Sequence, residues 1–112
     1  MTIIDVEPVL HFLNSLDPVT RAKAYRGIDL LANNWPLISE PYVKRVAGSK
    51  KLWELRERYH NTLIRLFFFQ HKPDTLVMIN GYIKKSKKAP AHILKQTVQK
   101  MKEYQERSDS NV

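Results

Sequence analysis

An arginine stands inside the most apolar stretch of this chain. Residues 63–69 read Leu63-Ile64-Arg65-Leu66-Phe67-Phe68-Phe69, apolar on both parities except at Arg65. Such a run suits a central strand covered on two faces, where an unpaired charge is costly. Two explanations are open from position alone. Arg65 is either ion-paired with Glu54 or Glu57 on a neighbouring strand, or it faces an open concave surface and holds an anion. Other cations gather around it in sequence. Arg56 and Arg58 share one strand parity with Glu54, and Lys84-Lys85-Ser86-Lys87-Lys88 closes the next apolar run. Guanidinium forks bind phosphate bidentately and lysine adds compact charge, so a sheet carrying these groups is built to grip phosphates.

Three short apolar runs must position them: Leu52–Tyr59, Thr62–Phe69 and Thr75–Ile83. The breaks, Tyr59-His60-Asn61 and Gln70-His71-Lys72-Pro73-Asp74, are too short for a parallel crossover and predict antiparallel hairpins. Ahead of them, Thr2–Val6 is a short edge-strand candidate. A helix follows, with Pro8 in its first turn and Val9, Phe12, Leu13 and Leu16 as its stripe. Asp17 as N-cap and Pro18 at the first helical position start a second helix, which runs to about Asn33 with Ala24, Tyr25, Ile28, Leu31 and Ala32 on one face. The two helices read as an αα-hairpin covering one side of the sheet. Pro36 to Ser49 is a connector, and Trp35 and Trp53 are packing residues. Pro90 opens a last helix through about Glu106, with Leu94, Thr97, Val98, Met101 and Tyr104 towards the sheet and Lys95, Gln99, Lys100, Lys102 and Glu103 towards solvent. Residues 1–107 read as one domain and 108–112 as a polar tail.

Composition narrows the function classes. The chain has 112 residues, no cysteine and a net charge of +8. Residues 1–50 hold six Lys/Arg against five Asp/Glu, and residues 51–112 hold thirteen against six. The basic excess therefore belongs to the sheet and the C-terminal part, the footprint of a nucleic-acid binder, although anionic membranes and acidic proteins also take basic surfaces. Without cysteine there are no disulfides or thiolate metal sites, which fits a reducing cytosol. No apolar run approaches the roughly 20 residues of a membrane span, and the N-terminus lacks the pattern of a signal peptide. Gly27, Gly48 and Gly81 are scattered and form no phosphate loop. His11, His60, His71 and His92 lack metal-ligand spacing. His60 and His71 sit at hairpin tips, and His92 lies close enough to the lysine cluster in sequence to reach a substrate.

Three stretches together carry a family resemblance. They are Leu52-Trp53-Glu54-Leu55-Arg56, Arg65 in its aromatic strand, and Asn80-Gly81-Tyr82-Ile83-Lys84-Lys85-Ser86-Lys87-Lys88-Ala89-Pro90. They resemble the HigB-like branch of the RelE/ParE toxin superfamily, whose members are often described as phage-derived host-inhibition proteins. The family pattern is an L-[YW]-E-L-R strand, an R-[IL]-[FL]-[YF] strand and an H-G-F-x-K-K-[TS]-x-K-x-P signature before a final helix. The resemblance covers about residues 5–106. Asn80 and Tyr82 stand where the family usually has His and Phe; Ile93, Thr97 and Lys100 stand for its usual Glu, Ala and Arg.

The resemblance implies an α+β, RelE-like fold in which two N-terminal helices pack on a small antiparallel sheet, with a C-terminal helix. It implies a cytoplasmic bacterial toxin of a type II toxin–antitoxin pair, partnered by a small helix-turn-helix antitoxin and cleaving mRNA on translating ribosomes. Such enzymes use no metal or other cofactor: the RNA 2′-OH attacks the adjacent phosphate. By motif match Arg65 sits on the scissile phosphate, and Lys84, Lys85 and Lys87 assist proton transfer or hold the backbone. Arg56, Arg58, Lys88 and His92 are RNA-binding candidates, while Tyr82 either stacks on a base or packs in the core. Which of Lys84 and Lys85 faces the site is open. Two other classes share these features: a ParE-like gyrase inhibitor, and a basic RNA-binding module without turnover.

Overall fold

The sheet is built outward from its most apolar strand. The computed structural model describes residues 2–84 and 90–110. Strand β4 (Thr62–Lys72) is flanked by β3 (Trp53–Tyr59) and β5 (Thr75–Lys84), both antiparallel to it. The second hairpin is tighter than the sequence predicts, because β4 continues through His71 to Lys72 and leaves Pro73-Asp74 as the turn. A short strand β2 (Val43–Arg45) emerges from the expected connector and pairs with β3. Strand β1 (Ile3–Asp5) lies along the other edge, giving the order β1-β5-β4-β3-β2.

This sheet corrects the expected fold. The expectation of two N-terminal helices packed on a small antiparallel sheet does not hold: the sheet has five strands and is mixed, since β1 runs parallel to β5. The helices lie before the four antiparallel strands in the chain. The physical reason is an edge. β5 would otherwise expose unpaired backbone groups on its outer side, and the N-terminal segment covers them, with Ile3 N–H donating to the Asp74 carbonyl at 2.7 Å. That pairing joins residues about seventy positions apart, so no local signal announces it. The architecture is α+β, with a helix at the C-terminus.

The first helical segment is a 3-10 turn (Glu7–Val9, with Pro8) followed by helix α1 (Leu10–Ser15). Helix α2 spans Pro18–Asn34, and Asp17 caps it by accepting from Thr20 N–H at 2.9 Å. The Thr20 backbone bond is also the main reason the Asp17 carboxyl titrates below its ordinary value. Val9, Leu13, Ala24, Ile28 and Leu31 share one core with Leu55, Ile64, Leu66, Phe68 and Met78. On the opposite face Leu52, Phe67, Phe69, Val77 and Ile79 meet helix α3 (Ala91–Ser110) through Leu94, Val98 and Met101. The helix therefore outruns Glu106 and takes in most of the expected tail; residues 111 and 112 lie outside the described range.

One irregularity decides what β5 presents. Phe67 pairs with Asn80 but Phe68 pairs with Met78, so Ile79 is an extra residue on β5, a β-bulge. Before it, Leu76 and Met78 face the N-terminal core and Val77 faces α3. After it the parity is reversed, and Tyr82 joins the α3 face. Among the described residues no helix is long and apolar enough to cross a membrane.

Candidate functional site

Strand register sets three of the candidate side chains in a row. Arg56 on β3 pairs with Arg65 on β4, and Arg65 pairs with Tyr82 on β5. Two arginines directly across a strand pair repel each other, so a counter-charge is needed. Glu54, two residues before Arg56 on the same face, supplies it. Its Oε1 accepts from Arg56 Nε at 3.1 Å and lies 2.9 Å from Arg65 Nε. Of the two explanations for Arg65, the ion pair with Glu54 is present. The geometry is incomplete as a hydrogen bond: the Arg65 Nε–H is close to the carboxylate yet not directed at it, and it finds no acceptor among the described residues. The fork donates instead through Nη1 to the Ile64 carbonyl at 3.2 Å.

Electrostatics follow from this packing. Arg65 is 8 % exposed. Burial pulls its pKa down, Glu54 pushes it up, and Arg56 pulls it down again; a guanidinium stays protonated at neutral pH regardless. Tyr82 is buried, with its ring stacked on Phe67 at 5.6 Å and 12°. Burial and, after it, the Glu54 charge raise the Tyr82 phenol above its ordinary value. With one face against Phe67, the ring is a core packing element that floors the arginine row.

The bulge brings Lys84 to the same side. Counting from Tyr82, Lys84 has matching parity, and the charges that perturb it belong to the row. Its pKa is lowered by partial burial and then by Arg65, with Glu54 opposing. A lysine held below its ordinary value is suited to exchanging a proton with a substrate hydroxyl. Arg58, exposed, lies beyond Arg56 on the same strand face. Lys44, the cross-strand partner of Glu54, adds a further cation to the field at Lys84 and was not among the sequence candidates.

The other candidates are less closely joined. His92 is exposed in the first turn of α3, and among the described residues no hydrogen bond or ion pair ties it to the arginine row. Lys85, Lys87 and Lys88 lie outside the described residues. Lys100, expected on the solvated side of α3, is half-buried instead: its Nζ donates to Asn80 Oδ1 at 3.2 Å. Asn80 Nδ2 in turn donates to Thr97 Oγ1 at 2.9 Å, and Thr97 donates to the Ile93 carbonyl at 2.7 Å. This chain clamps α3 onto β5 next to the row. Its signal in the sequence was Thr97, a polar residue on an otherwise apolar helical face. Among the described residues no group of three or more His, Cys, Asp or Glu side chains is arranged to hold a metal ion.

The open face is thus a cationic row with one internal carboxylate, an aromatic floor and a perturbed lysine. It can hold an oxyanion and move a proton beside it. In comparison with known proteins, a family model described as "Phage derived protein Gp49-like (DUF891)" matches residues 11–102. A search of curated proteins finds no match.

Proposed function

The chain belongs to the phage-derived Gp49-like family, toxin-like proteins of the RelE/Gp49 type, and on that premise we propose that it is a HigB-like toxin of a bacterial type II toxin–antitoxin pair that cleaves mRNA on translating ribosomes. The observation that supports this most is the Arg56–Arg65–Tyr82 row with Lys84 beside it on the open end of the sheet. In-line attack of the RNA 2′-oxygen on the adjacent phosphorus forms a 2′,3′-cyclic phosphate and breaks the bond to the 5′-oxygen. Negative charge accumulates on the non-bridging oxygens, where a preorganised guanidinium is worth most.

Arg65 is the group we place on that phosphate. Glu54 Oε1 lies within ion-pair distance of both Arg65 and Arg56, and the burial of Arg65 and partial burial of Arg56 mean little reorganisation is needed when charge develops. Lys84, with its lowered pKa, takes the 2′-OH proton or returns one to the 5′-oxygen. The lysines at 85, 87 and 88 strengthen the hold on the RNA backbone through their charge. No step in this scheme draws on a metal ion.

The test is cleavage of a defined mRNA by the purified protein, with and without ribosomes. A cut bearing a 2′,3′-cyclic phosphate, abolished by a 2′-deoxy sugar at the cut position, is the expected result. RNA binding without cleavage under both conditions would leave a non-catalytic module, and DNA damage on induction with intact mRNA would point to gyrase.

A further inference from the structure

Two grooves meet at the free end of β3. Strand β2 stops at Val43 opposite Leu55, and the last link between the strands is Arg56 N–H to the Tyr42 carbonyl at 2.7 Å. One groove, of about 320 Å³, is lined by Arg65, Arg56 and Arg58 together with Tyr42, Glu57 and Lys23. The other, of about 400 Å³, is lined by Arg26, Asp29 and Asn33 of α2 and again by Tyr42, Glu57 and Lys23. They share three residues and so adjoin: together they make a channel with the arginine row at one end, the unpaired edge of β3 between, and α2 at the other end.

Five cations along that channel outnumber its two carboxylates, Asp29 and Glu57, and suit a phosphate backbone. Glu57 and Tyr42 do not fit a phosphate track alone. Glu57 is a carboxylate only 8 % exposed, and α2 presses directly on it: a Cβ added to Gly27 would stand 2.5 Å from its Oε1. Burial raises its pKa, with the Lys23 charge opposing. Lys23 Nζ stays 3.8 Å from Oε2, long for a hydrogen bond, and Glu57 lines both grooves. Tyr42, 48 % exposed, lines both grooves together with it.

We propose that this channel is a base-specific RNA subsite in which Tyr42 stacks on a guanine and Glu57 reads its Watson–Crick edge. An ionised carboxylate only accepts hydrogen bonds. Guanine alone among the four bases presents two adjacent donors on that edge, N1–H and the 2-amino group. Adenine, cytosine and uracil each place an acceptor beside their donor and would meet the carboxylate with like polarity. Arg56 and Arg58 hold the flanking phosphates, so the subsite lies next to the scissile position. The inference rests on the reading that the open face takes RNA.

The experiment is fluorescence anisotropy with short oligouridylates made uncleavable by 2′-deoxy sugars, each carrying one guanine, inosine or adenine. Inosine keeps N1–H and lacks the 2-amino group. The protein should bind the guanine RNA about fivefold or more tightly than the other two. Glu57→Gln should erase that preference while keeping the affinity for inosine RNA, which also shows that the variant is folded. Tyr42→Ala should weaken all three RNAs by about fivefold or more, and Tyr42→Phe should not. Equal binding of guanine and inosine RNA, with Arg65→Ala still weakening both, would overturn the subsite and leave the proposed function standing. No binding of any RNA by the unaltered protein would overturn both.

Discussion

Replacing Arg65 by alanine separates the catalytic reading of the arginine row from a purely structural one. The fold loses an ion-pair contact of 2.9 Å between two groups that are about a tenth exposed. It also sheds the desolvation of a buried guanidinium and its repulsion with Arg56, the first and third causes of the Arg65 pKa shift. Glu54 is not orphaned, since Arg56 still donates to it at 3.1 Å. These terms oppose one another, so the net cost falls in the ordinary range for a point substitution, about 1–2 kcal/mol. For a domain near 100 residues that lowers Tm by roughly 5–15 °C and leaves the chain folded at 25 °C if its stability is the usual ~5–15 kcal/mol. Catalysis should suffer more. Loss of one transition-state contact costs about 100–1,000-fold in rate. Arg65→Lys should recover only part of it, because an ammonium cannot form the bidentate contact. Single-turnover cleavage of a defined RNA, read beside thermal unfolding, resolves the two effects. A folded Arg65→Ala protein cleaving at the unaltered rate would refute the assignment.

Other perturbations probe separate links of the argument. If Lys84 is the base, the cleavage rate rises with pH up to a pKa below that of an ordinary lysine, because only the neutral amine accepts a proton. Lys84→Arg should remove that limb of the pH–rate profile while preserving RNA affinity; an unchanged profile would take Lys84 out of proton transfer. Gly27→Ala should destabilise the fold by about 1–3 kcal/mol, despite a helix-propensity gain of about 1 kcal/mol, because the new Cβ collides with Glu57. Truncating Glu57 in the same chain should recover most of the loss, as chemical unfolding of both variants would reveal. Replacing Lys84, Lys85, Lys87 and Lys88 together by Gln should flatten the salt dependence of RNA binding by about 0.7 in log–log slope for each phosphate contact removed. An unaltered slope would place the backbone contacts elsewhere.

Much of this molecule is local chemistry and was legible as such. Short polar breaks between apolar runs can only be hairpins, so β3, β4 and β5 and their antiparallel pairing follow from spacing. The start of α2 at Asp17-Pro18 is local in the same way, because a cap and a missing N–H act within one turn. A run apolar on both parities needs cover on two faces, and β4 has it in the α1/α2 core and in α3. Arg65 was conspicuous for the same reason, as the one charge in that run.

What the tertiary structure alone decided comes from contacts between distant residues and from register. The parallel pairing of Ile3–Asp5 with Thr75–Val77 turned an expected antiparallel sheet into a mixed one, and sequence distance hides such pairing. The bulge at Ile79 reversed the parity of β5, placing Tyr82 and Lys84 beside Arg65, whereas an unbroken alternation from Met78 would send both to the helical core. One extra residue in a ladder costs little locally and carries no compositional mark. Lys100 turned inward because Asn80, twenty positions away, offered its carbonyl oxygen. Glu57 and Tyr42 became neighbours of the arginine row only because β2 ends early and leaves the edge of β3 open. Spacing along a chain reports which faces must be buried; which side chains then share a cavity depends on where strands stop and slip.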